Sequence, residues 1–268
     1  AAQILYEEGI AHPILLGEKK YILEQMEKFN IHLEVPIVDP TDDDQKENRK
    51  KYRQTLWELR NRKGVNEYIA KRLVRQRDYF APLMLKHGDT DAVVVGYSKN
   101  YRSVLKPIFE IIEKDKGVDR VAAMMMILSD KKPYFFADTS INQNPTAEEM
   151  ANIAKMAETV VKSFAIEPRI AMLSYENFSS NAEISSKVAK AVEILHQKYP
   201  NMIVDGEIQP DFAMSADHLQ DYPFSKLGKT PANTFIFPNL ESANLSYKII
   251  RGMKVAQVVG PILMGLKQ

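Results

Sequence analysis

The chain has 268 residues, 45% of them apolar and 26% charged, which is ordinary for a globular protein long enough to bury a substantial core. Lys and Arg total 36 against 35 Asp and Glu, so no net field argues for a nucleic-acid or polyanionic partner, and any bound anion must be held by a local cluster. The absence of cysteine excludes disulfides, thiolate metal sites and a cysteine nucleophile, and fits a reducing compartment.

Ala1 to Glu8, closed by Gly9, reads as the last turns of a helix. No basic region leads into an apolar stretch, so this is not a signal peptide, and no apolar run reaches the length of a membrane span. A cytoplasmic protein is expected. With no initiator Met, the expectation is a piece from inside a longer chain. His12 to Gly17 predicts a buried strand. Glu18 to Phe29 predicts an amphipathic helix with Ile22, Leu23, Met26 and Phe29 on one face. A second strand is expected over Val35 to Val38, and helices over Tyr52 to Arg62, Asn66 to Arg77 and Pro82 to Lys86. Ala92 to Val95 reads as a buried strand ended by Gly96, and Val104 to Lys114 as the next helix.

Val121 to Leu128 and Tyr134 to Ala137 predict two strands whose short link favours an antiparallel hairpin, so the sheet is expected to be mixed. Thr146-Ala-Glu-Glu149 is a capping box, and Met150, Ile153, Ala154, Ala157, Val160, Val161 and Phe164 form one helical stripe behind it. Four strands follow, over Ile170 to Leu173, Met202 to Val204, Thr234 to Phe237 and Ala256 to Val259. Helices at Ser185 to Lys198 and Leu240 to Arg251 cover them. The alternation predicts an α/β protein with helices on both sheet faces. The sheet pattern restarts after the hairpin, which sets expected domains at 1–138 and 139–268.

The common motifs are missing. No Gly-x-Gly-x-x-Gly supports a Rossmann site, and Gly260-Pro-Ile-Leu-Met-Gly-Leu-Lys267 misses the P-loop by one displaced lysine and the lack of a following Ser or Thr. The five histidines show no metal-ligand spacing, so no metal site is expected. Polar clusters do fall at predicted strand ends: Asp138 to Asn142; Ser174 to Asn177 with Ser179 and Ser180; Asp205-Gly-Glu207; and Pro238-Asn239. Each has a plain reading as turn and cap residues and a functional one as ligand groups at the strand ends of an open α/β sheet. Arg60, Lys63, Tyr101, Arg102 and Lys106 are candidates for anion binding or ordinary solvated helix surface.

In order along the chain, Glu58-Leu-Arg-Asn-Arg-Lys-Gly64, Gly88-Asp-Thr-Asp-Ala-Val-Val-Val-Gly96, Val104-Leu-Lys-Pro107, Ala137-Asp-Thr139 and Asn144-Pro-Thr-Ala-Glu-Glu149 are similar to segments of the phosphate acetyltransferase family. So are Ala171 to Ser174, Val204-Asp-Gly-Glu-Ile-Gln209, Phe237-Pro-Asn-Leu240, Ala243 to Lys248 and Gly260 to Leu266. Tyr134-Phe-Phe-Ala-Asp-Thr139, Asn177-Phe178 and Pro238-Asn239-Leu240 resemble the version of the family fused behind malic enzymes. The chain has Lys106 where the family carries Arg, a point charge in place of a bidentate fork.

The resemblance implies two α/β domains around a cleft, with mixed sheets, in the isocitrate/isopropylmalate dehydrogenase-like fold of phosphotransacetylases. It implies a cleft for acetyl-CoA, CoA or phosphate formed by Arg60, Lys106, Asn142, Ser174, Asn177, Ser179, Asp205, Glu207 and Asn239. The family's Ser-Arg pair, the Asp expected to act as base toward the CoA thiol, and the closing return helix are expected beyond Gln268, so no catalytic residue is assigned. Two functions follow from the resemblance. One is a regulatory unit that senses acetyl-CoA for an N-terminal malic-enzyme domain of the same chain, where NADP and a divalent metal serve the oxidative decarboxylation of malate. The other is phosphate acetyltransferase activity, moving acetyl between phosphate and CoA. A homodimer is implied as well, and a nucleic acid or membrane partner is not.

Overall fold

The computed structural model describes residues 1–95, 101–129, 132–179 and 182–267, apart from the side chains of 101, 102 and 182–186. Gly96 and Ser180, and the side chains of Tyr101 and Arg102, therefore lie outside the described residues. The chain divides into two compact units, Ala1–Glu113 and Lys114–Gln268.

The first unit is mainly helical. A short helix α1 (Ala2–Glu7) precedes strand β1 (Leu15–Leu16), helix α2 (Lys19–Lys28) and strand β2 (Ile37–Val38), which pairs in parallel with β1. Helices α3 (Lys46–Arg60), α4 (Glu67–Leu73), α5 (Arg77–His87) and α6 (Tyr101–Ile111) complete it. Its core gathers Tyr52, Leu56, Ala70, Val74, Phe80, Leu83 and Ile111. Gln76 adopts an extended backbone and splits the expected Asn66–Arg77 helix into α4 and the start of α5. The expected strand at Ala92 to Val95 is not formed: Val94 is 95% exposed, and the segment joins no ladder among the described residues. Instead, Ala92 to Val95 and Ile14 to Leu16 line one cavity of about 320 Å3.

The second unit is a six-stranded sheet. Its strands are β3 (Ala122–Leu128), β4 (Pro133–Ala137), β5 (Ile170–Leu173), β6 (Val204–Ile208), β7 (Thr234–Ile236) and β8 (Gln257–Met264), in the spatial order β6-β5-β7-β4-β3-β8. β3 runs antiparallel to both β4 and β8, and the remaining pairs are parallel, so the mixed sheet follows from a single reversed strand. Because β3 and β4 belong to this sheet, the boundary expected after Asp138 falls inside the second unit.

Period-two alternation sorts the side chains. Met124, Phe135, Ala137, Ile170, Met172 and Ile236 face helices α7 (Ala147–Ser163) and α8 (Ala182–Lys198). Met125, Phe136, Ala171, Leu173, Phe235 and Phe237 face the other way, toward α9 (Pro210–Ala213), α10 (Ala216–Leu219) and α11 (Leu240–Met253). The capping box opens α7 as read: the Glu149 amide donates to Thr146 Oγ1 at 3.2 Å, and the Thr146 amide to Glu149 Oε2 at 2.9 Å.

Two strand readings need correction. Asp205-Gly-Glu207 does not follow a strand but lies within β6, where a register shift between Met172 and Leu173 accommodates it. Likewise β8 runs through Gly260-Pro261 rather than ending before it, because a bulge opposite Met125 absorbs the extra residues.

Candidate functional site at the strand ends

The carboxyl ends of β4, β5, β6 and β7 lie side by side in the second unit, the place where open α/β sheets bind ligands. Four polar segments meet there, and each is built differently.

After β4 the chain folds around Asp138, which is buried. Its Oδ1 accepts from the amides of Ala123 (3.1 Å), Ser140 (2.9 Å) and Ile141 (3.2 Å), and its Oδ2 from the amide (2.8 Å) and the side-chain nitrogen (2.5 Å) of Asn142. Asn142 Nδ2 also donates to the Val121 carbonyl at 2.9 Å. Asn142 is thus buried, and its amide nitrogens tie the loop to the sheet. Asn244 on α11 donates to the Thr139 carbonyl at 3.1 Å and ties the same loop from the other face.

After β5, Ser174 to Ser179 lean on β6. Asn177 Oδ1 accepts from the Gln209 amide at 2.8 Å, and the Ser179 amide donates to Glu207 Oε1 at 3.0 Å. Ser174 keeps a half-buried hydroxyl that accepts from the Glu176 amide at 3.4 Å. Glu207 is 2% exposed, and its second oxygen, Oε2, has no hydrogen-bond partner among the described residues. Asp205, also buried, accepts from the amides of Gly206 (2.9 Å) and Lys226 (2.7 Å), which fixes the 225–228 loop to β6. After β7, Asn239 caps α11 by accepting from the Ser242 amide at 2.9 Å.

Of the nine residues expected to form a ligand cleft, Ser174, Asn177, Ser179 and Glu207 stand at the β5–β6 end, where Ser179 bonds Glu207 directly and Asn177 bonds Gln209. Asn142 and Asn239 stand at the β4 and β7 ends, and Asp205 is committed to the loop behind them. Arg60 and Lys106 belong to the first unit. Arg60 Nη2 pairs with Glu110 at 3.2 Å, with side chains 18% and 12% exposed, while its buried Nε has no partner among the described residues. Tyr79 donates to the other Glu110 oxygen at 2.7 Å. Burial, followed by that hydrogen bond and the Glu110 charge, raises the Tyr79 phenol above its ordinary range. Lys106 is exposed one turn before Glu110 on α6.

The sequence reading missed Lys187. Its Nζ donates to Asn144 Oδ1 at 2.8 Å and to the Pro238 carbonyl at 2.7 Å, bridging the loops after β4 and β7. In the sequence it is one polar position in an amphipathic helix, with nothing to distinguish it. Among the described residues no group of His, Asp and Glu side chains could hold a metal ion, and no helix is long and apolar enough to cross a membrane.

A mixed sheet with polar loops gathered at its parallel strand ends, and phosphotransacetylases as its structural neighbours, defines a phosphotransacetylase-type domain. The chain belongs to the phosphate acetyl/butaryl transferase family, whose model matches residues 1–268. It superimposes on a phosphotransacetylase from Streptococcus pyogenes with a TM-score of 0.88 and 31% identity, covering 100% of this chain and 81% of that one. An NADP-dependent malic enzyme of Haemophilus influenzae is 36% identical over all of this chain, which spans 36% of that protein. A phosphate acetyltransferase of Helicobacter pylori is 32% identical and is spanned to 51%, and one of Clostridium acetobutylicum is 32% identical and spanned to 81%. The chain therefore spans about a third of the Haemophilus influenzae protein and about half of the Helicobacter pylori one.

Proposed function

We propose that this phosphotransacetylase-type domain binds acyl-CoA at the strand ends of its second unit and serves as a sensing module in a longer chain whose N-terminal part is a malic enzyme, and that residues 1–268 by themselves do not turn over. The supporting observation is the state of the carboxylates. Attack by a CoA thiol, with an ordinary pKa of about 8.5, needs a base within reach. Asp138 takes five hydrogen bonds, Asp205 takes two backbone amides, and Glu207 is 2% exposed. Hydroxyl, amide and ammonium groups remain, which suit binding. NADP and a divalent metal belong, on this reading, to the malic-enzyme part. The test pairs calorimetry with acetyl-CoA against CoA-dependent phosphate release from acetyl phosphate. Binding without phosphate release is the expected result, and robust release overturns the sensing reading.

The second reading is a phosphate acetyltransferase. It is favoured by the match to the Clostridium acetobutylicum enzyme, of which this chain spans 81%. Glu207 Oε2 is then the candidate base, and Glu207→Gln should abolish release while Asp205→Asn chiefly destabilises.

A homodimer through the second unit completes the proposal. Leu245, Ile249 and Met253 form an exposed stripe at four-residue spacing on α11, 60–66% exposed, with Val255 and Val259 beside it. Among the described residues β8 is an edge strand, with β3 as its one neighbour in the sheet order. Antiparallel pairing of two such helices brings Glu241 at one end toward Lys254 at the other, opposite charges that a two-fold axis matches twice.

A further inference from the structure

Lys187 is unusual in the company its ammonium keeps. Both acceptors, Asn144 Oδ1 and the Pro238 carbonyl, are neutral. Of the acids with described side chains at this end of α7, Glu148 pairs with Lys190, and Glu149 closes the capping box and pairs with Arg120. Among the described residues no carboxylate pairs with Lys187.

The geometry has a chemical consequence. An ammonium offers three N–H bonds, and two of them satisfy the two carbonyl oxygens. The third tetrahedral position points away from both. When that proton leaves, the neutral amine keeps both hydrogen bonds, and its lone pair occupies the free position. A lysine held by a carboxylate would lose an ion pair in the same step, whereas Lys187 has none to lose among the described residues. Burial without a compensating anion lowers its pKa from the ordinary lysine value, which adds to the free-base share.

We propose that Lys187 is an acyl-acceptor site whose amine takes an acyl group from an activated donor, an acyl phosphate or an acyl thioester. The amine lone pair forms a bond to the acyl carbon, and the bond from that carbon to the phosphate oxygen or the thioester sulfur breaks with its electron pair. The leaving group departs as phosphate or thiolate, and the nitrogen releases one proton to solvent, leaving a neutral amide. The reaction is stoichiometric and needs no turnover site, so it stands whether the domain senses or transfers. The amide retains one N–H, so one of the two bridged loops is released. Asn144 lies two residues before the Thr146 cap of α7, and Pro238 directly before the Asn239 cap of α11.

The test incubates the intact chain with acetyl phosphate in one arm and acetyl-CoA in another, and follows each lysine by peptide mass mapping over time. Lys190 is the internal control: it lies three residues further along the same helix, 62% exposed and paired with Glu148. The expected result is acetylation of Lys187 several-fold faster than of Lys190, and the arm that produces it identifies the donor. Asn144→Asp places a carboxylate on Nζ and should slow labelling several-fold with an unchanged melting temperature. Labelling of Lys187 no faster than Lys190 in both arms overturns the assignment. So does an Asn144→Asp protein that labels at the original rate.

Discussion

Gly206→Ala should be among the most damaging single-methyl additions to the second unit. Gly206 sits in β6 opposite Met172 of β5 with φ +149°, a backbone state that L side chains rarely adopt. A Cβ built there would lie 2.4 Å from the Met172 carbonyl oxygen and 2.9 Å from its Cβ. The nearest obstacle is backbone in a neighbouring strand, so no rotamer change relieves it. Backbone strain of this kind costs about 1–3 kcal/mol, and forced overpacking about 1–3 kcal/mol more. For a unit of this size the sum corresponds to a fall of roughly 5–20 °C in melting temperature. Gly228→Ala is the matched control: φ is +57°, and nothing lies within 4 Å of the added carbon. Only the left-handed penalty of about 1–2 kcal/mol applies there. Thermal unfolding followed by circular dichroism separates the two. Equal shifts for both variants would refute the close-approach argument and leave only a generic glycine effect.

Asp138→Asn should destabilise by about 3 kcal/mol in urea unfolding, since the amide replaces an acceptor with a donor that faces N–H groups. His87 makes the first unit pH-sensitive. Burial, then the Lys51 charge, lowers its pKa, and its Nε2 lies 2.9 Å from Thr55 Oγ1. With the folded pKa below the unfolded value of about 6.5, the unfolded chain takes up the proton first, so stability falls as the pH drops below about 6.5 and is flat above it. His87→Gln should flatten the difference between urea midpoints at pH 7.5 and pH 5.5. Leu245→Glu with Ile249→Glu should convert a dimer to a monomer in light scattering, and a monomeric parent at tens of micromolar refutes the α11 interface.

The parts of the fold that the sequence reveals are those governed by a regular period. β5, the capping box of α7 and the stripe behind it are read almost to the residue, because each follows a two-residue or 3.6-residue repeat or a fixed offset. The readings that fail lie where tertiary contacts override local pattern. Asp205-Gly-Glu207 carries turn residues yet is strand, because Gly206 permits a close approach to Met172 that no local rule foresees. Gly260-Pro261 looks like a stop, but the bulge opposite Met125 carries β8 through it. Ala92 to Val95 has strand composition without a ladder partner among the described residues. Lys187 could not be read at all, since its role depends on acceptors 43 and 51 residues away in the chain.

The strand ends also show why polar clusters read from sequence overstate the groups available to a ligand. A carboxylate that follows a strand can hold its loop or meet a substrate, and hydrogen-bond capacity limits how far it can do both. Asp138 holds its loop through five donors, which leaves little capacity for a ligand. Asp205 holds the 225–228 loop. Of the three, Glu207 divides its two oxygens, one on the Ser179 amide and one, buried, unpaired among the described residues. An unpaired buried carboxylate oxygen is costly and is best relieved by a donor. The donor can be supplied by a bound ligand, so ligand binding and strand-end stability are expected to be linked at Glu207. Glu207→Gln separates the two effects. It removes the buried negative charge and the acceptor that a ligand donor would meet, so it should stabilise the free domain while weakening its thermal shift on adding acetyl-CoA. If Glu207→Gln lowers the melting temperature of the free domain and leaves the acetyl-CoA shift intact, the carboxylate is structural like its neighbours, and ligand recognition rests on Ser174, Asn177 and Ser179 instead.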